Sequence, residues 1–257
     1  MINCLAKLGA IAGTATVLVH SALAADNAEM MTWKVDGQTR RAIVYRPSAI
    51  SGGKAPLVLS FHGRGDNIQN FQFTNMHLAW PEAIVVYFQG LPTRGGLFGW
   101  QTEKDQDDDR DLRLVDVALA SLRDRFKVDE ARIYSTGFSN GAGFTYLLWA
   151  ERPAVFAAFA PVAGRLRPSV QPREAKPVFH VAGTADETVP FASQQEAIDL
   201  ARRVDGATGA GTACGKGCTT YRSPGGPPVM TWIHSGGHEY PSDTSARIAK
   251  FFRDHSR

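Results

Sequence analysis

The chain has 257 residues, 44% of them hydrophobic and 21% charged, and a formal net charge of +3. That length and balance suit one α/β domain better than two, with a core that needs no staples. No basic stripe is interleaved with aromatics, which removes nucleic acid from the expected partners.

Residues 1–25 read as a secretory signal peptide. Lys7 gives a weak positive start, residues 8–19 an apolar stretch, and Ala22-Leu23-Ala24 an A-x-A cleavage site, with the cut after Ala24 or Ala25. The apolar stretch is short for a membrane span and has no flanking stop signal. The expectation is a secreted or periplasmic protein, with a single domain over 26–257 and no membrane attachment after cleavage. Cleavage removes Cys4 and leaves Cys214 and Cys218. In an oxidising compartment an even pair reads as a disulfide, with free thiols as the alternative. Zinc would need further ligands at matching spacing, and none lie nearby.

Alternation around Asp36-Gly37 predicts a hairpin over residues 32–46. Apolar runs at 57–61, 83–88, 131–135, 156–162, 178–182 and 229–233 read as strands covered on both faces. Residues 111–126 place Leu112, Val115, Leu119 and Leu122 on one helical stripe, and 139–150, 193–204 and 242–254 also read as helices. Strands alternating with helices give a mostly parallel central sheet, entered through an N-terminal antiparallel hairpin, with helices on both faces. The acidic run 105–111 reads as a solvated helix N-terminus, with a metal site as its rival. The Gly- and Pro-rich stretch 205–228 reads as an irregular loop pinned by the cysteines.

Gly137-Phe138-Ser139-Asn140-Gly141 follows a strand and opens a helix, the setting that a G-x-S-x-G turn needs to hold a serine hydroxyl above the carboxyl end of a sheet. A serine hydroxyl is a poor nucleophile unless a base takes its proton and a carboxylate orients that base. Among the downstream histidines, His180 lies in an apolar strand, His255 at the C-terminus and His234 at a strand end. His238 follows Ser235-Gly236-Gly237 in a loop and is the expected base. Asp186, in a turn after the strand at 178–182, is the expected acid, with Glu187 its rival and Asp199 and Asp205 weaker. The amides of Asn140 and Arg64 are the expected oxyanion donors, with Gly63 competing for the second place. Residues 92–101 hold Phe98 and Trp100 as candidate substrate contacts on a glycine-loosened loop. Packing of these aromatics in the core is the alternative.

Taken together, Phe61-His62-Gly63-Arg64-Gly65-Asp66-Asn67, Gly137-Phe138-Ser139-Asn140-Gly141, Ala160-Pro161-Val162-Ala163-Gly164, Gly183-Thr184-Ala185-Asp186 and Gly236-Gly237-His238 resemble the secreted α/β-hydrolase esterases that include polyhydroxybutyrate depolymerases and feruloyl esterases. The chain departs at Glu239-Tyr240, where relatives often carry Thr-Trp. The resemblance implies an α/β-hydrolase fold and a Ser139–Asp186–His238 triad. It also implies no metal, no organic cofactor, and a small or oligomeric ester as partner: a hydroxyalkanoate or a feruloyl or aryl ester. A peptidase or thioesterase on the same scaffold, or a non-catalytic binding protein, are the other readings.

Overall fold

A computed structural model describes residues 27–48 and 53–257. The signal-peptide expectation and Cys4 lie outside the described residues. In chain order the elements are β1 (Ala28–Val35), β2 (Gln38–Tyr45), β3 (Ala55–Phe61), α1 (Ile68–Phe71), α2 (Met76–Ala79), β4 (Ile84–Phe88), β5 (Leu91–Pro92), β6 (Phe98–Gly99), α3 (Arg110–Arg125), β7 (Val128–Phe138), α4 (Asn140–Glu151), β8 (Ala158–Val162), β9 (Val178–Gly183), α5 (Phe191–Val204), β10 (Thr212–Gly215), β11 (Cys218–Tyr221), β12 (Val229–His234) and α6 (Thr244–Arg253).

One sheet runs in the order β1-β2-β4-β3-β7-β8-β9-β12-β11-β10. Its middle, from β4 to β12, is parallel. Antiparallel hairpins close both edges. At the first edge Asp36 and Gly37 both take positive φ, the conformation a two-residue hairpin turn requires. Alternate residues of each central strand enter opposite cores. Leu57, Leu59 and Phe61 of β3 join the core that holds α3, α4 and α5 residues, while Val58 joins the one that holds α1, α2 and α6 residues. Helices therefore cover both faces, which is why the central strands are mostly apolar, with a few buried polar side chains such as Ser60, Ser135 and His180.

Two sequence expectations are corrected here. Residues 205–228 are not wholly irregular: β10 and β11 lie within them and extend the sheet, with Cys218 opposite Trp232 of β12. Cys214 and Cys218 are joined by a disulfide. The run 105–111 is not a uniformly solvated helix start either. Asp105, Asp107, Asp108 and Asp109 take positive φ. Asp111 is fully buried, where it meets the Arg40 guanidinium at 2.6 Å and accepts from the Gln101 amide at 2.8 Å. A buried carboxylate with a cation and an amide against it is a structural tie between β2 and α3.

Candidate active site

β7 ends in Gly137-Phe138, and α4 begins at Asn140, so Ser139 sits on the bend between them. Its backbone has φ 56° and ψ −114°, a conformation that L-residues rarely adopt. The bend is held by Ser139 N–H donating to Val162 O at 2.9 Å. Sharpness here demands glycine on either side. A Cβ at Gly137 would collide with the Gly141 backbone, and one at Gly141 with the carbonyl oxygen of Phe61 on β3.

The expected acid and base come from neighbouring loops that are stitched together. Asp186 follows β9, and His238 follows β12, the strand paired in parallel with β9. Thr184 N–H donates to His234 O at 2.9 Å and Ala185 N–H to Gly236 O at 3.0 Å. Gly183 allows this approach, since a Cβ there would strike the carbonyl oxygens of Gly236 and Gly237.

These loops bring the three side chains into a line. His238 Nε2 lies 2.9 Å from Ser139 Oγ, and His238 Nδ1 lies 2.8 Å from Asp186 Oδ2. The carboxylate has only hydrogen-bond acceptors to offer. Nδ1–H therefore donates to it, and Nε2 is left to accept from the serine hydroxyl. Phe138 packs on the imidazole, with ring centroids 4.9 Å apart. Asp186 is 5% exposed. It receives four hydrogen bonds: from the amides of Thr188 and Val189, from Gln194 Nε2, and from His238. Of the rival acids, Glu187 is exposed and Asp199 is bonded to Gln195 on α5. His234 Nδ1 accepts from the Gly236 amide at 3.1 Å, which places it beside the loop rather than at Ser139.

Behind Asp186 lies a buried chain that sequence reasoning did not identify. Gln194 of α5 donates to Asp186 at 2.9 Å and to Val189 O at 2.8 Å. Its oxygen then faces His180 Nε2, 3.4 Å away, and His180 Nδ1 lies 2.6 Å from the Tyr146 hydroxyl. These contacts settle the tautomer: Nε2–H donates to Gln194, and Nδ1 accepts from Tyr146. A neutral ring fits its surroundings, because burial pulls the His180 pKa down to about 4. Tyr146 belongs to α4, the helix that starts beside Ser139, so the chain of contacts returns to the element it serves. Gln194 could have been found from the sequence. It shares the buried stripe of α5 with Ala197, Ile198 and Ala201, the single polar member of an apolar face.

On the other side of Ser139 stands the turn after β3. His62 is buried; Nδ1–H donates to Gly63 O at 2.6 Å, and Nε2 accepts from the Gly90 amide at 2.9 Å. Burial, its largest influence, lowers the His62 pKa, and the ring acts as a neutral brace for the turn. A Cβ at Gly63 would lie 3.5 Å from Ser139 Cβ, so the turn passes close to the serine. The Gly65 amide is occupied by Phe98 O at 2.7 Å. Asn140, as the first residue of α4, has an amide with no intrahelical partner.

Trp100 is corrected: it is 1% exposed and no substrate surface. Its indole N–H donates to His62 O at 2.9 Å, its amide donates to Asn140 Oδ1 at 2.7 Å, and its ring stacks on Phe144. It ties the β3 turn to the start of α4. Gly99 supplies close approach to Asn140 rather than pliability. Phe98 is 41% exposed on the short β5–β6 hairpin.

No family model matches the chain. It is 32% identical over 162 residues to a bifunctional acetylxylan esterase/xylanase of Neocallimastix patriciarum, covering 60% of this chain and 22% of that one. It is 32% identical over 169 residues to a putative esterase, NocK, of Nocardia uniformis subsp. tsuyamanensis, covering 61% and 48%. The match to feruloyl esterase C of Emericella nidulans is 29% over 118 residues, covering 43% and 40%. The chain thus spans less than half the length of each of these curated relatives. In structure it overlies the Bacillus cereus carboxylesterase with a TM-score of 0.63 at 17% identity, covering 84% of this chain and 94% of that one. A ferulic acid esterase gives 0.63 at 14% identity, covering 88% and 97%. The chain has the α/β-hydrolase fold, and the curated proteins it resembles in sequence are esterases.

Proposed function

We propose that this chain is a serine carboxylic-ester hydrolase working through an acyl-enzyme. One observation carries the reading: a single imidazole bridges the Ser139 hydroxyl and the Asp186 carboxylate at 2.9 and 2.8 Å. His238 takes the hydroxyl proton as Ser139 Oγ bonds to the ester carbonyl carbon. Asp186 holds the imidazole and stabilises its charged form. The carbonyl electrons move onto oxygen, where the amides of Asn140 and Arg64 and the positive end of α4 receive the charge. Collapse breaks the bond to the alcohol oxygen, which leaves with the proton from His238. Water, activated by the same imidazole, then frees the acid. This chemistry uses no metal and no organic cofactor.

The substrates we assign are small or oligomeric esters of the hydroxyalkanoate or feruloyl and aryl type. The names of the relatives, acetylxylan and feruloyl esterases, support ester chemistry on short or aromatic acyl groups. Phe98 is the remaining candidate contact for an apolar acyl group. We further assign residues 26–257 to one catalytic domain, secreted or periplasmic after loss of 1–25. Among the described residues no helix is long and apolar enough to cross a membrane.

The test is turnover of a panel of nitrophenyl acyl esters, feruloyl esters, hydroxybutyrate oligomers and peptides. Ester cleavage without peptide cleavage is expected. Ser139→Ala should cost roughly 10⁴-fold in kcat and abolish fluorophosphonate labelling. Turnover retained in that variant overturns the reading.

A further inference from the structure

A cavity of about 240 Å³ opens at Ser139, and Arg64, Arg165 and Arg167 line it together with Thr102, Asn140 and others, none of them acidic. The charge is local, because the whole chain carries only +3. Several arginines elsewhere are met closely: Arg40, Arg113, Arg125, Arg132 and Arg152 each have a carboxylate oxygen within 2.8 Å. The arginines of the cavity are not. Arg64 donates to the Arg94 carbonyl at 3.1 Å. Arg167 reaches Glu103 only at 3.9 Å, and that carboxylate is also held by the Ser169 hydroxyl. Among the described residues the exposed Arg165 side chain has no ion pair or hydrogen bond.

Position matters as much as charge. Gly164 packs so closely on the first turn of α4 that a Cβ there would strike Ala142 and lie 3.0 Å from Ser139 O. Arg165 follows directly, so its backbone is held near the serine while its exposed guanidinium has no ion pair among the described residues. Cations gathered at a concave site attract anions, and the planar guanidinium fork matches a carboxylate.

We propose that the site selects esters that also carry a free carboxylate, such as a half-ester of a dicarboxylic acid or the acid end of a hydroxy-acid oligomer, with Arg165 and Arg167 receiving that group. This rests on the hydrolytic reading of Ser139. Hydrolysis is unchanged in its steps; the carboxylate is a handle and takes no part in bond making.

The experiment compares ethyl hydrogen adipate with ethyl adipamate, which differ only in carboxylate against carboxamide, by ethanol release. The ratio of kcat/KM should favour the anion by about tenfold or more. It should shrink as salt rises from about 0.05 to about 0.5 M. Arg165→Gln and Arg167→Gln should each reduce the ratio severalfold, and their combination should bring it near unity, while Arg222→Gln, at an exposed position elsewhere, leaves it in place. A neutral fluorophosphonate labels Ser139 in parallel. Labelling with a wild-type ratio near one, with a ratio the arginine variants do not move, or with cleavage of neither ester, overturns the charge selection and leaves the hydrolytic reading standing. Neither labelling nor cleavage overturns both.

Discussion

Ser139 is held in a backbone conformation that costs on the order of 1–3 kcal/mol and survives because its surroundings leave no alternative. The glycines at 137 and 141 and the hydrogen bond to Val162 O supply that constraint. At the other end of the proposed triad, Gln194 donates to the Asp186 carboxylate. Removing its amide leaves Asp186 with one donor fewer and frees the carboxylate to rotate away from His238. Gln194→Ala is therefore expected to lower kcat by roughly 10–100-fold, the usual scale for an orienting partner, with KM changing far less. Steady-state kinetics on a neutral ester measure the split. An equal loss in both parameters, or none, would rule out the positioning role. At this scale Ser139, Asp186 and His238 could be singled out as candidates because each sits in a short motif of turn residues at a strand end, and the fold brings the three within hydrogen-bond reach. Gln194, His180 and Tyr146 carry no such motif. Their link depends on α4, β9 and α5 meeting in space, and residues separated along the chain declare such a meeting only through a polar side chain on an apolar stripe.

Among the elements, the long central strands and the helices α3 to α6 lie within a few residues of where the sequence pattern puts them, since both faces of the sheet and one stripe of α3, α5 and α6 must be largely apolar, while α4 is buried from Gly141 to Trp149. The β10–β11 hairpin was hidden. Its strands are four residues each, β10 is exposed throughout, and glycines surround them, so no alternation marked them. The Cys214–Cys218 bond lies within this hairpin at the sheet's edge. It closes a loop with a sequence separation of 4, so its effect on the unfolded chain is small. Replacing both cysteines by alanine should lower stability by about 2 kcal/mol at most and leave ester turnover within about twofold. Urea unfolding and a turnover assay on the double variant check this. A loss of activity matched to no loss of stability would show that the hairpin shapes the site.

Across the molecule, stability should depend on pH through Asp205 at the end of α5. Its Oδ1 accepts from the Lys176 amide at 3.0 Å, while Oδ2 is buried with no partner among the described residues. Burial pushes its pKa up to about 8 from an ordinary value of 3.8. Between those values the folded chain keeps a proton that the unfolded chain has released. The group's contribution is thus greatest below pH 4, declines as pH rises, and levels off above about pH 8. Asp205→Asn, which keeps the acceptor and removes the charge, should stabilise the protein at pH 9 by on the order of 2 kcal/mol and much less at pH 4. Denaturant melts at the two pH values measure the difference, and an equal effect at both would contradict it.

Fold class and the candidate residues Ser139, Asp186 and His238 were readable from the linear chain, because hydrophobic period and turn chemistry act over a few neighbouring residues. Three-dimensional packing had to supply the rest. It sent Trp100 into the core to bind the β3 turn to α4, buried Asp111 against Arg40, and backed Asp186 with Gln194. It also gathered Arg64, Arg165 and Arg167 around one cavity. Each of these outcomes depends on which distant segments become neighbours across the sheet, and burial and pairing are properties of that neighbourhood rather than of the residue.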